Sequence, residues 1–184
     1  FKLDKATVVK AKAYSASGDQ SVVSNGYFRI IHKNPKNGVN VAFYQGGNWN
    51  SLPSFKDEKS ESRWTADEIH VDNKQIAGLL RPGNSIFGLV YSTFIQIDEP
   101  GTYHFFLQSD DGSKLYIDGS KVVDDDGAHG LIEREGSVEL TKGRHELKVE
   151  FFNAGGGFWI DAFYQGPGIP KQIIPADKLF KFRK

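Results

Sequence analysis

Apolar and polar positions alternate with a period of two along much of this chain. In Ala6–Tyr14, Val9, Ala11 and Ala13 alternate with Lys10, Lys12 and Tyr14. Tyr103, Phe105 and Leu107 oppose His104, Phe106 and Gln108. His145, Leu147, Val149 and Phe151 oppose Arg144, Glu146, Lys148 and Glu150. Such alternation places one side of an extended segment against a core and the other toward water. Tyr27–His32 and Val39–Tyr44 are shorter strand candidates, and Ile86–Ile97 is a longer one that Gly88 is expected to break.

Turn chemistry punctuates these runs. Asp118-Gly119 sits between Leu115-Tyr116-Ile117 and Lys121-Val122-Val123, a strong hairpin signal because both central positions of a type I′ turn need positive φ. Pro100-Gly101, Glu135-Gly136 and Lys142-Gly143 are further turn candidates. Helical signal is confined to Asn73–Leu80, one or two turns, and to a short terminal turn over Ala176–Phe180. Many short strands between turns predict an all-β chain, an antiparallel β-sandwich or barrel.

A boundary is expected near residues 33–38, KNPKNG, which is polar and carries Pro and Gly between two strand runs. Residues 1–33 hold two or three strands, too few for a core of their own. They are read as a short β appendage or linker, and 34–184 as the main domain.

Composition narrows the function classes. Lys and Arg number 23, as do Asp and Glu, so no overall basic field draws nucleic acid, and no basic cluster marks a membrane anchor. No run of 18 apolar residues is present to span a bilayer as a helix. With no cysteine, disulfides, thiolate nucleophiles and Cys-ligated zinc are excluded. The chain opens at Phe1 without a signal-peptide pattern and is read as a fragment of a longer protein.

Two stretches carry candidate chemistry. Ser109–Gly127 holds Asp110, Asp111, Asp118, Asp124, Asp125 and Asp126 against only Lys114 and Lys121. Clustered carboxylates in loops suit Ca²⁺, which takes six to eight oxygen ligands. Equally, Asp favours turns for its own reasons. An EF-hand is excluded, because Ala128 stands where a ligand is required and no Glu follows at the twelfth position. The second stretch is Phe152–Trp159, FNAGGGFW. Its three glycines let carbonyl oxygens approach an ion or ligand, Asn153 adds a side-chain oxygen, and Phe158 and Trp159 add an apolar face. It reads equally as a flexible connector ahead of a core Trp. Trp49 and Trp64 are either core residues or a platform for a sugar ring. His129 reads as a structural turn residue. His32, His70, His104 and His145 are dispersed, with no pair at metal-ligand spacing.

Taken in order, Gly101-Thr-Tyr-His-Phe, Ser109-Asp-Asp-Gly-Ser-Lys-Leu-Tyr-Ile-Asp-Gly, Val122-Val123-Asp124, Gly127-Ala-His129-Gly130, Gly143-Arg-His145 and Gln172-Ile-Ile-Pro175-Ala176 resemble the protective-antigen-type β-sandwich module, the PA-fourteen domain. The likeness opens at Gly38–Tyr44 and Trp49–Phe55 and covers roughly Asn37–Phe180. It implies a jelly-roll-type sandwich like those of bacterial glycosidases, yeast flocculins and toxins. In lectin-type members, two successive Asp residues joined by a cis peptide bind Ca²⁺, and here these are Asp110 and Asp111. An Asn followed by two main-chain carbonyls completes the site; Asn153, Gly155 and Gly157 match. Flocculins carry a Trp at the last of these positions, where this chain has Gly157, so their sugar-contacting surface is not reproduced. The implied carbohydrate contacts are Asp110, Asp111, Asn153, Gly156, Phe158 and Trp49.

Leu3–Tyr14, with Gly18 and Ser21, is similar to the last strands of the small β-sandwich at the C-termini of chitobiase and β-hexosaminidase type enzymes. That likeness implies an exported bacterial glycosidase as parent, with a secreted, periplasmic or cell-surface location. The expected partners are a glycan and the catalytic domain of the same polypeptide. The leading expectation is a non-catalytic, calcium-dependent carbohydrate-binding accessory module. The alternative is a structural interdomain module that binds no free glycan. Hydrolysis by the chain itself is disfavoured, because adjacent Asp110 and Asp111 cannot straddle a glycosidic bond.

Overall fold

Burial follows the alternation. In a computed structural model of the chain, which describes residues 7–18, 20–21, 24–28, 34 and 36–182, Tyr103, Phe105 and Leu107, and likewise Leu147, Val149 and Phe151, face inward, whereas Ala11 and Ala13 of the first alternating segment are exposed. The strands are β1 (Thr7–Ala11), β2 (Ser24–Phe28), β3 (Val39–Gln45), β4 (Ser62–Ala66), β5 (Phe87–Ile97), β6 (Gly101–Asp110) and β7 (Ser113–Ile117). They continue with β8 (Ser120–Asp125), β9 (Ile132–Leu140), β10 (Gly143–Asn153), β11 (Trp159–Gly166), β12 (Ile169–Ile173) and β13 (Leu179–Phe180). One helix, α1 (Asn73–Leu79), and a 3-10 turn, Ala176–Lys178, complete the described elements.

All named pairings are antiparallel. One sheet runs β4-β3-β5-β10-β7-β8, with β13 continuing the β3 side of β5; the other runs β12-β11-β6-β9. Phe43, Leu89, Tyr91, Leu115, Val149 and Phe151 from the first sheet meet Tyr103, Phe105, Leu107, Ile160, Ala162 and Tyr164 from the second, all essentially inaccessible to water. The chain is therefore an antiparallel β-sandwich, and its inner faces are the ones the alternation marks.

β1 and β2 form a two-stranded sheet of their own, with Thr7 opposite Phe28 and Ala11 opposite Ser24. Residues 1–6, 29–33 and 35, which the strand and boundary readings also include, lie outside the described residues, as does His32.

Several local readings hold. Asp118 and Gly119 both take positive φ, +48° and +80°, and close the β7–β8 hairpin. α1 starts where Asp72 accepts the Lys74 and Gln75 N–H groups, an N-cap that satisfies otherwise orphaned donors. The terminal turn spans Ala176–Lys178, and Leu179–Phe180 leaves it as β13.

Two glycine readings are corrected. Glu135-Gly136 is no turn: it lies inside β9, with Gly136 opposite Phe105. A Cβ there would overlap the Val122 carbonyl oxygen, so this glycine admits β8 to the face of β9. Gly88 does not break β5, which runs on through it. A Cβ on Gly88 would run into the Phe55 ring and come within 3.2 Å of Trp49.

Candidate functional site

The acid pair and the glycine loop meet at one end of the sandwich. β6 ends at Asp110, β10 ends at Asn153, and β11 begins at Trp159. The Asp110–Asp111 peptide is cis. Asp111 then turns back into the protein, where it is 6% exposed. Its Oδ2 accepts the Ala154 N–H at 2.7 Å and its Oδ1 accepts the His129 N–H at 2.8 Å. The Gly112 carbonyl accepts the Phe152 N–H at 3.0 Å. These bonds fasten the 109–113 turn to the start of the glycine loop and to the 127–130 loop.

Asn153 is fully buried. Its Nδ2 donates to the Ser85 carbonyl at 2.8 Å. Its Oδ1 has no hydrogen-bond partner. A buried amide oxygen without a donor is costly, roughly 1–3 kcal/mol, and native structures rarely tolerate one without a reason. Beside it, the half-buried Asp110 carboxylate takes no hydrogen bond from a described residue. Its Oδ2 lies 3.8 Å from where a Cβ on Gly157 would stand. Burial, and then the charge of Asp111, raise the Asp110 carboxyl above its ordinary range, with His129 acting against them. Burial and the neighbouring like charge both work against the ionised form, and His129 offsets them only in part.

The donors gathered here are oxygens throughout. Among the described residues no three His, Asp or Glu side chains form a metal-binding group. A cation at this place would draw on two carboxylates, the Asn153 oxygen and main-chain carbonyls. That is a hard, all-oxygen set of the kind Ca²⁺ takes and zinc does not favour. Gly155 and Gly156 have φ of +131° and +78°, conformations that side-chain-bearing residues rarely adopt.

The other aspartates have structural partners. Asp118 accepts the Glu146 N–H and pairs with His145. Asp124 pairs with Lys121. Asp125, 4% exposed, accepts from Ser109 and faces His129 and Arg134 at 3.5 Å; burial raises its carboxyl, and these partners oppose the rise. Burial alone would also raise Asp126. Lys114 at 2.6 Å and the Leu52 and Gly127 N–H groups outweigh it, and the carboxyl ends below its ordinary range. Turn and latch roles therefore account for these four.

Phe158 faces inward, its ring edge-on to Phe87 at 5.1 Å, so it anchors the glycine loop to the core. Trp49 is half-buried and packs edge-on against Phe55 at 6.0 Å, above Gly88. No described contact joins it to Asp110 or Asn153. Trp64 packs against the core. His129 has the expected turn role and a further one. Its main chain binds Asp111, and its ring nitrogens face the Gly130 and Asp125 carbonyls at 2.8 and 3.3 Å. Burial opposes protonation of this ring, but those carbonyls and the carboxylates of Asp125 and Asp111 outweigh it and raise its pKa.

One residue of this end escaped the pattern reading, and another, Trp159, was read only as part of the apolar face of the glycine loop. Ser85 supplies the carbonyl that fixes the Asn153 amide, and only the Pro82-Gly83-Asn84 turn before it hints at a constrained backbone. Trp159 is directly opposite Asp110 in the β6–β11 ladder and is 50% exposed. It borders a cavity of about 300 Å³ lined by His70, Val71, Asn73, Phe158, Trp159, Ile160 and Asp161.

Comparison with known proteins places this geometry. No curated protein matches at the sequence level. Among solved structures, the PA14 domain of the MpAFP antifreeze protein is 15% identical, with a TM-score of 0.66 over 78% of this chain and 89% of that one. A PA14 sugar-binding domain from an RTX adhesin is 19% identical, with a TM-score of 0.66 over 79% of this chain and 98% of that one. The Epithelial Adhesin 6 A domain from Candida glabrata, solved with Galb1-3GlcNAc, is 11% identical, with a TM-score of 0.58 over 82% and 89%. At these identities the likeness is one of fold. The model of the PA14 domain family matches residues 35–178, well over half of the sequence and both sheets of the sandwich, so the chain belongs to the PA14 domain family.

Proposed function

We propose that the chain is a non-catalytic, calcium-dependent carbohydrate-binding module. The observation that carries this reading is the orphaned Asn153 Oδ1 at the end of the sandwich, together with the Asp110 carboxylate, which burial and Asp111 disfavour and which faces the glycine loop at Gly157. Asp110, Asp111 and Asn153 would hold the ion, with the Gly155 and Gly157 carbonyls completing its shell. Bound there, Ca²⁺ supplies open coordination positions for vicinal sugar hydroxyls. Asp111 can serve while keeping its two main-chain bonds, because a carboxylate has about four acceptor positions. Gly156 leaves room for a ring to approach the loop. Phe158 acts from beneath by fixing the loop, and Trp49 is assigned to the outer edge of the sugar site. The sugar-binding RTX adhesin domain and the Candida adhesin domain solved with a disaccharide support a glycan as the partner.

Catalysis is not part of this reading. The two clustered acids are consecutive and serve one cation, and the glycine loop brings no titratable group to activate water. The finer reading makes the module an accessory part of an exported bacterial glycosidase, following the tail of a chitobiase-like sandwich in residues 1–33. It rests on the resemblance of Leu3–Tyr14.

The test is thermal unfolding with Ca²⁺ and with EDTA, alongside a glycan array under both conditions. The melting temperature should rise with the logarithm of free Ca²⁺ above its Kd, and glycan retention should need the ion. A melting temperature indifferent to both additions overturns the calcium site. Calcium binding without any glycan retention leaves a structural interdomain module instead.

A further inference from the structure

Trp159 is the exposed apolar residue of its strand. Ile160, Ala162 and Tyr164 enter the core between the sheets, whereas Trp159, Asp161 and Phe163 leave β11 on the opposite face, where Phe163 is buried with Phe106 and Ile173. Trp159 is the register partner of Asp110. Directly opposed residues of an antiparallel pair project on the same side, with Cβ atoms about 5 Å apart. The indole therefore begins one strand spacing from the proposed ion site. It makes no ring contact or hydrogen bond with a described residue, and half of it is open to water. Trp is enriched at binding surfaces, because its ring offers a large apolar face and its N–H a polar handle.

Opposite the indole, the cavity wall is preformed. His70 bridges Asp161 in antiparallel fashion, and the Tyr91 hydroxyl donates to the His70 carbonyl at 2.8 Å. Asp72 then caps α1, which fixes Asn73 at the rim. The Asn73 side chain is exposed, and its amide has both donors and acceptor to offer. At about 300 Å³ the cavity lies at the lower end of small-molecule clefts. An apolar plate on one side and an amide on the other is a combination that suits a pyranose, whose C–H face packs on indole while its hydroxyls take hydrogen bonds. Asp161, buried in the same wall, disfavours a second negative charge.

Building on the carbohydrate reading above, we infer that the site takes a neutral saccharide of at least two residues. The first residue sits over Asp110, Asp111 and Asn153, and the second stacks on Trp159 with Asn73 at its edge. Binding of the second ring should quench the fluorescence of the exposed indole.

The experiment is calorimetric and fluorescence titration of the whole chain in Ca²⁺, using galactose, glucose and N-acetylglucosamine against lactose, cellobiose and chitobiose. At least one disaccharide should bind roughly three- to tenfold tighter than its component monosaccharides, as an aromatic stack allows. Trp159→Ala should erase that advantage and the quenching, Trp159→Phe should restore part of the advantage, and Asn73→Ala should reduce it. The calcium-induced rise in melting temperature, measured on each variant, shows that it is folded and loaded. Equal affinity for mono- and disaccharides, or an advantage that survives Trp159→Ala, overturns the second subsite and leaves the carbohydrate reading standing. Absence of all calcium-dependent sugar binding overturns both.

Discussion

Asp111 Oδ2 holds the Ala154 N–H at 2.7 Å, and that one bond joins the acid-pair turn to the glycine loop. The other oxygen of the same carboxylate holds the His129 N–H. Asp111 is thus a latch whether or not an ion is present, whereas Asp110 has no such duty. The two substitutions should separate accordingly. In EDTA, Asp111→Ala leaves two part-buried N–H donors without their acceptor and should cost about 1–3 kcal/mol. Asp110→Asn removes a carboxylate that burial and Asp111 already disfavour, and should cost under about 1 kcal/mol or stabilise slightly. Both should lose the rise in stability that Ca²⁺ gives the parent chain. Urea unfolding in EDTA and in Ca²⁺ measures all four values; equal costs in EDTA would remove the distinction between latch and ligand.

Gly136 tests the packing of β8 on β9. A Cβ at this position meets the Val122 carbonyl, a backbone group that cannot swing aside. Gly136→Ala should destabilise by about 1–3 kcal/mol, the usual cost of forcing atoms into a filled space. Gly130→Ala, where a Cβ meets nothing within 4 Å, should stay within about 0.5 kcal/mol of the parent. Denaturant midpoints of the two variants decide the matter.

These glycines show what the sequence could and could not disclose. Asp118-Gly119 was readable because a hairpin turn is a local event: two residues needing positive φ sit between two short strands. Glu135-Gly136 carries the same local look, yet its glycine answers to Val122 in another strand. Gly88 likewise answers to Phe55. No window of neighbouring residues contains that information. The inner faces of the sandwich were legible for the opposite reason, since period-two alternation in β6 and β10 is itself the consequence of one buried face. At the site, Asp110, Asp111 and Asn153 could be brought together only through family resemblance, because a separation of more than forty residues says nothing about contact. The face of Trp159 was hidden too, since the glycines before it erase the phase of the alternation.

Gly78 offers a gain in stability. It lies near the end of α1 with open space where a Cβ would stand and with φ outside the left-handed range. Glycine in a helix costs about 1 kcal/mol relative to alanine, less near a terminus. Gly78→Ala should raise stability by about 0.5–1 kcal/mol and leave calcium and glycan affinities unchanged, because α1 meets the cavity only through Asn73. A thermal melt and one glycan titration check both halves.

The remaining prediction concerns pH. His145 Nδ1 lies 2.6 Å from Asp118 Oδ2, and its Nε2 lies 2.9 Å from the Thr141 carbonyl. Both ring nitrogens face acceptors, and only the imidazolium donates at both. Burial works against that charge, but the bonds to Asp118 and Thr141 outweigh it and the folded pKa is raised. The unfolded value is about 6.5. Below it, both states carry the proton and the full stabilisation is present. As pH climbs past it, the unfolded chain releases its proton while the folded chain keeps it. Stability therefore falls until the folded pKa has been passed, and then levels off. His129 is raised as well and acts in the same direction, so the assignment needs a difference. His145→Gln should reduce the decline in urea midpoint between about pH 6 and about pH 9, and Asp118→Asn should do the same while retaining a residue that tolerates the positive φ of this turn. An unchanged slope in both variants would leave His129 as the titrating group and exclude the Asp118–His145 pair.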